Sequence, residues 1–160
     1  MGPGVLVKSL LQGSFSLMVF GWSQIVMDIQ PLIVMISGEG QLHGFSHTYF
    51  GATLLAIFSA LSGKYLSELG LLILRISTSA DPIRIAWWVV FLSAFLGTFS
   101  HVVLDSIMHG DIQPYYPFSL GNGLLDVISM ESLHKLCIYS GLVGGAIYYA
   151  VQFVRGTQTK

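Results

Sequence analysis

The sequence predicts an all-α fold: one integral-membrane bundle of about four transmembrane helices, forming a single domain over residues 1–160. Three observations carry this expectation. Hydrophobic residues make up 53% of the chain, and mean hydropathy is +0.72. Charged residues make up only 9%, against about 25% in a soluble domain. The apolar residues gather in four runs, and about 20 of them cross the hydrocarbon as a helix.

The first run covers residues 14–36. Lys8 precedes it, as in a signal peptide, but Asp28 interrupts it and Ile36-Ser37-Gly38-Glu39 offers no small-x-small cleavage site. It is therefore expected to remain as a membrane helix, kinked at Pro31 so that a carbonyl is freed. Met1-Gly2-Pro3-Gly4 lacks the Ser or Thr of a myristoylation signal. The second run, 48–62, is short, and its helix is expected to continue through Lys64 and Glu68 toward Arg75. The third, 85–108, follows Asp81-Pro82, a helix-start signal. The fourth, 134–154, holds Gly141, Gly144 and Gly145, small residues that let helices approach closely. Residues 110–132 contain Pro114, Pro117, Gly121, Asn122 and Gly123 and read as an irregular loop. Tyr115, Tyr116 and Phe118 within it suit an interfacial aromatic belt or a substrate mouth. Cys137, the single cysteine, excludes an internal disulfide and a cysteine-based zinc finger, and a buried, inert thiol is expected. A net charge of −1 offers no basic footprint for nucleic acid.

The basic residues orient the bundle. Lys8, Lys64, Arg75, Arg84, Arg155 and Lys160 fall on one side of the four runs, and only Lys135 falls on the other. Both termini are therefore expected in the cytoplasm. The loops 37–44 and 110–132 carry no Lys or Arg and are expected outside, facing a periplasm.

Candidate chemistry gathers on that outer side. His101 and Asp105 stand four residues apart, and His109 follows by four more, a spacing that shares one helix face. A carboxylate in hydrocarbon costs about 2.5 kcal/mol or more, so such residues mark metal ligation or proton handling. The alternative is a structural His–Asp hydrogen bond. His43 and His47 would share a face if the second helix began early, although Gly44 weakens that helix and interfacial histidines are the plain alternative. Imidazole suits zinc and similar ions, and Asp supplies compensating charge. Asp28 needs a metal or a proton to be tolerated there. The expected metal ligands are Asp28, His43, His47, His101 and Asp105, with His109 as a further candidate and Asp111 either nearby support or a solvated loop residue. Glu39 could serve as a base, though a solvated turn residue is the simpler reading. His134 could join as a ligand or phosphate donor, and Glu131 favours the helix dipole at the start of the fourth helix.

Asp28-Ile29-Gln30-Pro31, Leu42-His43-Gly44-Phe45-Ser46-His47-Thr48, Ser100-His101-Val102-Val103-Leu104-Asp105-Ser106, His109-Gly110-Asp111 and Tyr116-Pro117-Phe118-Ser119 together resemble the YdjM-like family. These are bacterial inner-membrane proteins held to be metal-dependent hydrolases, some of them LexA-binding. The resemblance runs from Asp28 to about His134. It implies a metal-activated hydrolysis, of a phosphoester by distant likeness to zinc phospholipases C and single-strand nucleases. It also implies an inner-membrane location and, for LexA, an association that no residue here explains. The family's first helix carries Pro-Asp-x-Asp, where this chain has Met27-Asp28-Ile29-Gln30, so the number of metals is open.

Three functions are consistent with these residues. The first is a hydrolase acting on a phosphoester or other ester, a membrane lipid among the candidates, through water activated by a divalent metal, zinc first and manganese second. The second is a proton or metal-ion transporter using the same His/Asp column. The third is a haem-binding bundle with His47 and His101 as ligands.

Overall fold

The computed structural model describes residues 1–78 and 80–158, with side chains described through Gly156; Lys160, used above for orientation, lies outside them. Five α-helices, with two short 3₁₀ segments (Gln12–Ser14 and Phe45–His47), account for the regular structure of the described residues: α1 (Gly2–Leu11), α2 (Leu17–Ser37), α3 (Tyr49–Ile73), α4 (Trp87–Met108) and α5 (Met130–Gln158). Four of them, α2 to α5, are long and apolar enough to cross a membrane.

The helix ends follow local chemistry. Ser16 caps α2 by accepting from the Val19 N–H, and Gly38, at φ 73°, closes it with an N–H bond to Val34. The helix continues through Pro31 to Ser37. Thr48 caps α3 through the Gly51 N–H at 2.9 Å. As expected, α3 continues past Lys64 and Glu68. Those two residues pair at 2.5 Å, and Lys64 also donates to the Ile85 carbonyl while Glu68 accepts from the Ile85 N–H. With both backbone groups of Ile85 held by side chains, residues 82–86 stay non-helical. The helix therefore starts at Trp87 and not at Asp81-Pro82. Ser129 accepts from the Ser132 N–H and starts α5 four residues before His134.

α2, α3 and α4 pack as a three-helix core. Small residues on α3, namely Ala52, Ala56, Ala60 and, offset by one step, Ser59, Gly63 and Ser67, are buried at intervals of four and let the neighbouring helices approach. Two apolar layers fill the core. Val19, Ala60, Val90 and Ala94 form one, and Met27, Ala52 and Val102 form the other, against Tyr49, Leu55 and Phe99.

The sequence reading did not anticipate α1, and it treated α5 as an equal member of the bundle. In the structure α5 packs along α1 and touches α4 only lightly. Gly2 lies against Gly141 and Leu6 against Gly144, so the two helices run side by side in one direction. A Cβ on Gly144 would sit 2.5 Å from the Leu6 backbone, a distance only glycine tolerates. Cys137 is half-buried beside this seam and is not enclosed.

Candidate metal centre

The α2–α3 and α4–α5 connections lie at the same end of the bundle, and the candidate ligands meet there. α2 contributes Asp28, and α4 contributes His101 and Asp105, with His109 directly after its last turn. His43 and His47 do not share a helix. His43 lies in a turn, and His47 ends a short 3₁₀ segment, Phe45–His47. Thr48 is extended as the helix cap, so the helix starts only after both histidines. Their side chains are nonetheless close, with ring centroids 5.0 Å apart.

The 3₁₀ turn is held by specific contacts. The Ser46 N–H donates to Gln30 Oε1 at 3.0 Å, and the Tyr49 N–H donates to the Pro114 carbonyl at 2.8 Å. A Cβ on Gly51 would stand 2.0 Å from the Phe45 carbonyl oxygen, so glycine is required for the turn to fold back onto α3. On the other side, Asn122 donates to the Ser106 carbonyl at 2.8 Å and pins the long loop over the end of α4.

His47 and His101 are the buried histidines of this end. The Nε2 atoms of both are buried and make no hydrogen bond. Each nevertheless faces a carboxylate. His101 Nε2 lies 3.0 Å from Asp105 Oδ2 and 3.3 Å from Asp28 Oδ1, and His47 Nε2 lies 3.3 Å from the same Asp105 Oδ2. All three distances fall within ion-pair range. Neighbouring ligand atoms on a tetrahedral ion with bonds of about 2.0–2.1 Å are about 3.3 Å apart. On an octahedral ion of that bond length they are about 3.0 Å apart. The observed separations match either.

The other ring nitrogens are occupied. Gln24 Nε2 donates to the Gly97 carbonyl at 2.7 Å, which turns Gln24 Oε1 toward His101 Nδ1 at 3.1 Å. Since that oxygen can only accept, Nδ1 carries the proton and the neutral ring has a bare Nε2 facing two carboxylates. Two lone pairs at 3.0 Å require a proton or a cation between them. His47 Nδ1 is held by the Ser46 hydroxyl at 2.9 Å. This outer support of ligating imidazoles is the usual arrangement around metal ions.

A second group adjoins the first. His43 Nδ1 lies 3.0 Å from both oxygens of Asp111, and the His43 ring stacks on His109 with centroids 4.3 Å apart. Partial burial pushes the Asp111 carboxyl up, but the hydrogen bond from His43 and the nearby His43 charge outweigh it and hold the carboxyl below its ordinary value. Three sets of side chains have ligand atoms within 4.8 Å of one another: Asp28/His47/His101, His43/His109/Asp111, and His43/His47/Asp105.

All six expected ligands thus fall in one cluster. Asp111, read from sequence as either support or a solvated loop residue, joins it through His43. Gln24 and Ser46 were missed; Gln24 stands one helical step of four before Asp28, a spacing that signals a shared face. Glu39 and His134 are exposed and belong to none of these groups. His134 lies on α5, which barely reaches the core. His47 and His101, the pair named above as haem ligands, both lie against one carboxylate oxygen, Asp105 Oδ2.

Tyr115, Tyr116 and Phe118 line an apolar groove of about 290 Å³ with Tyr49, Phe50 and Phe99. A polar pocket of about 250 Å³, lined by His43, Thr48, Asp111 and Gln113, shares Tyr116 with it. Comparison of the chain with protein-family models, curated proteins and solved structures returned no match.

Proposed function

We propose that the protein is a membrane-bound, metal-dependent hydrolase acting on a phosphoester or other ester at the membrane surface. The observation that carries this reading is the pair of buried, bare Nε2 atoms of His47 and His101 facing Asp105 and Asp28. Zinc is the first candidate ion and manganese the second, since imidazole and carboxylate ligands suit both. A divalent ion held there would polarise a bound water and make it a nucleophile near neutral pH.

The aromatic groove supports a lipid ester as substrate. It adjoins the polar pocket at Tyr116, so an amphiphile could set its polar group near His43 and its chain against Tyr49 and Phe99. The likeness to the YdjM-like family supports hydrolysis and a bacterial inner membrane. The distribution of Lys and Arg supports cytoplasmic termini and a site on the opposite face. Transport is the weaker reading. The layer of Val19, Ala60, Val90 and Ala94 lies between the His/Asp cluster and the Lys64–Glu68 pair near the far end of the core.

The test is elemental analysis of detergent-purified protein followed by assays with a phosphodiester, a phosphomonoester and a carboxyl ester. Bound metal and turnover of one class, both lost in Asp105→Ala and His47→Ala, are expected. Absence of metal at neutral pH overturns the reading. Metal without turnover of any class overturns the hydrolase, and metal flux in proteoliposomes would then favour transport.

A further inference from the structure

We propose that the cluster holds two divalent cations in separate positions: an inner one on Asp28, His47, His101 and Asp105, and an outer one on His43, His109 and Asp111. This deepens the metal-dependent reading above and rests on it.

The two groups share no side chain and come from different parts of the fold. The inner ligands come from α2, α4 and the 3₁₀ turn. The outer ones come from the turn before it and from the residues that leave α4. Within the set Asp28/His47/His101 and within His43/His109/Asp111, the ligand atoms lie within 4.8 Å of one another, as two ligand shells require.

Charge points the same way. The cluster holds three carboxylates, of Asp28, Asp105 and Asp111, whereas the two loops at this end, 37–44 and 110–132, contain no Lys or Arg. A single divalent ion among Asp28 and Asp105 balances those two and leaves Asp111 with imidazoles alone. The His43 ring stacks on His109 and lies 3.0 Å from the Asp111 carboxylate, so two imidazoles and one anion adjoin, and His43 and Asp111 line a polar pocket. The two positions adjoin, since His43, His47 and Asp105 also fall within 4.8 Å of each other, and both inner imidazoles lie against Asp105 Oδ2.

The experiment is equilibrium dialysis of the full-length, metal-stripped protein in detergent against zinc chloride, with zinc counted per chain. Two zinc ions per wild-type chain, falling to one in His109→Ala and in Asp111→Asn, are expected. These substitutions lie outside the packed core, and circular dichroism in detergent confirms folding of each variant. One zinc in the wild type overturns the second position and leaves the proposed function standing. No zinc, and no manganese in a parallel dialysis against manganese chloride, overturns both. Two zinc ions retained in both variants, or none in either folded variant, overturn the assignment of a separate outer position.

Discussion

Gln24 Oε1 lies 3.1 Å from Nδ1 of His101, and this single contact decides which nitrogen of the histidine faces the carboxylates. Gln24 cannot turn over freely, because its amide nitrogen is engaged by the Gly97 carbonyl at 2.7 Å. An amide in an apolar helix thus sets the tautomer of a side chain on the neighbouring helix. Gln24→Ala removes no ligand but releases the ring. Metal affinity is expected to fall about 10- to 100-fold, the usual effect of losing such support. Competition with a chelator of known affinity measures it, and an unchanged affinity would rule out the orienting role.

Gly51 is the second lever on the site. It carries no chemistry, yet a Cβ there would stand 2.0 Å from the Phe45 carbonyl oxygen, so the turn bearing His47 must move. Gly51→Ala should abolish metal loading while α2 and α4 remain paired. Thr48→Ala removes the helix cap and the hydroxyl's bond to the Phe45 carbonyl but adds no clash; losing the cap costs about 1 kcal/mol, and the variant should lower thermal stability with metal retained. Thermal unfolding and metal content, measured side by side, distinguish the two. Equal metal loss in both variants would refute the steric account.

How much of this was legible beforehand depends on whether the relevant partner lay nearby in sequence. The spacing of His101 and Asp105 carried over directly, since both sit on one unbroken helix and their atoms meet at 3.0 Å. His43 and His47 were paired for the wrong reason. Their separation of four suggested a helix face, whereas Thr48 caps the helix after them and a tight turn brings the rings together. The start of α4, expected at about residue 85, falls at Trp87, because Lys64 and Glu68 hold Ile85 from another helix and delay the helix that Asp81-Pro82 signals. Helix α1 gave little warning. Ten residues opening on Gly-Pro-Gly make a poor helix alone, and its partner is a glycine seam on α5 at the far end of the chain. Gln24 shows no charge and no motif, so only its spacing to Asp28 could have drawn notice.

That glycine seam gives a third prediction. Gly144→Ile places a branched side chain where even a Cβ would come within 2.5 Å of the Leu6 backbone. The change should force α1 and α5 apart and expose Cys137, whose carbonyl lies against Gly2. Since α5 packs mainly along α1 and touches α4 only lightly, metal content should not change. The expected result is faster maleimide labelling of Cys137, the single cysteine, with wild-type metal loading. Metal loss would mean that α5 supports the site more closely than its packing indicates.

The contact between His43 and Asp111 predicts a specific pH response in the metal-free protein. Burial alone would raise the Asp111 carboxyl, but the hydrogen bond and charge of His43 prevail and lower it. A carboxyl lowered on folding stabilises the folded state above its unfolded value, about 3.9 for Asp, and that contribution disappears as pH falls through the lowered folded value. With the Asp111 side chain 55% exposed, solvent screens the effect, so it belongs to the local loop contact more than to global stability. Carboxyl-carbon NMR of the metal-free protein should therefore find Asp111 titrating below the ordinary range. In His43→Ala the titration should move up toward that range, because the donor is gone. Zinc bound at the outer position should move it further down in the wild type, since protonation must then compete with the ion. An Asp111 titration identical in wild type and His43→Ala would show that the two side chains do not meet in solution, and the outer position would lose its anchor.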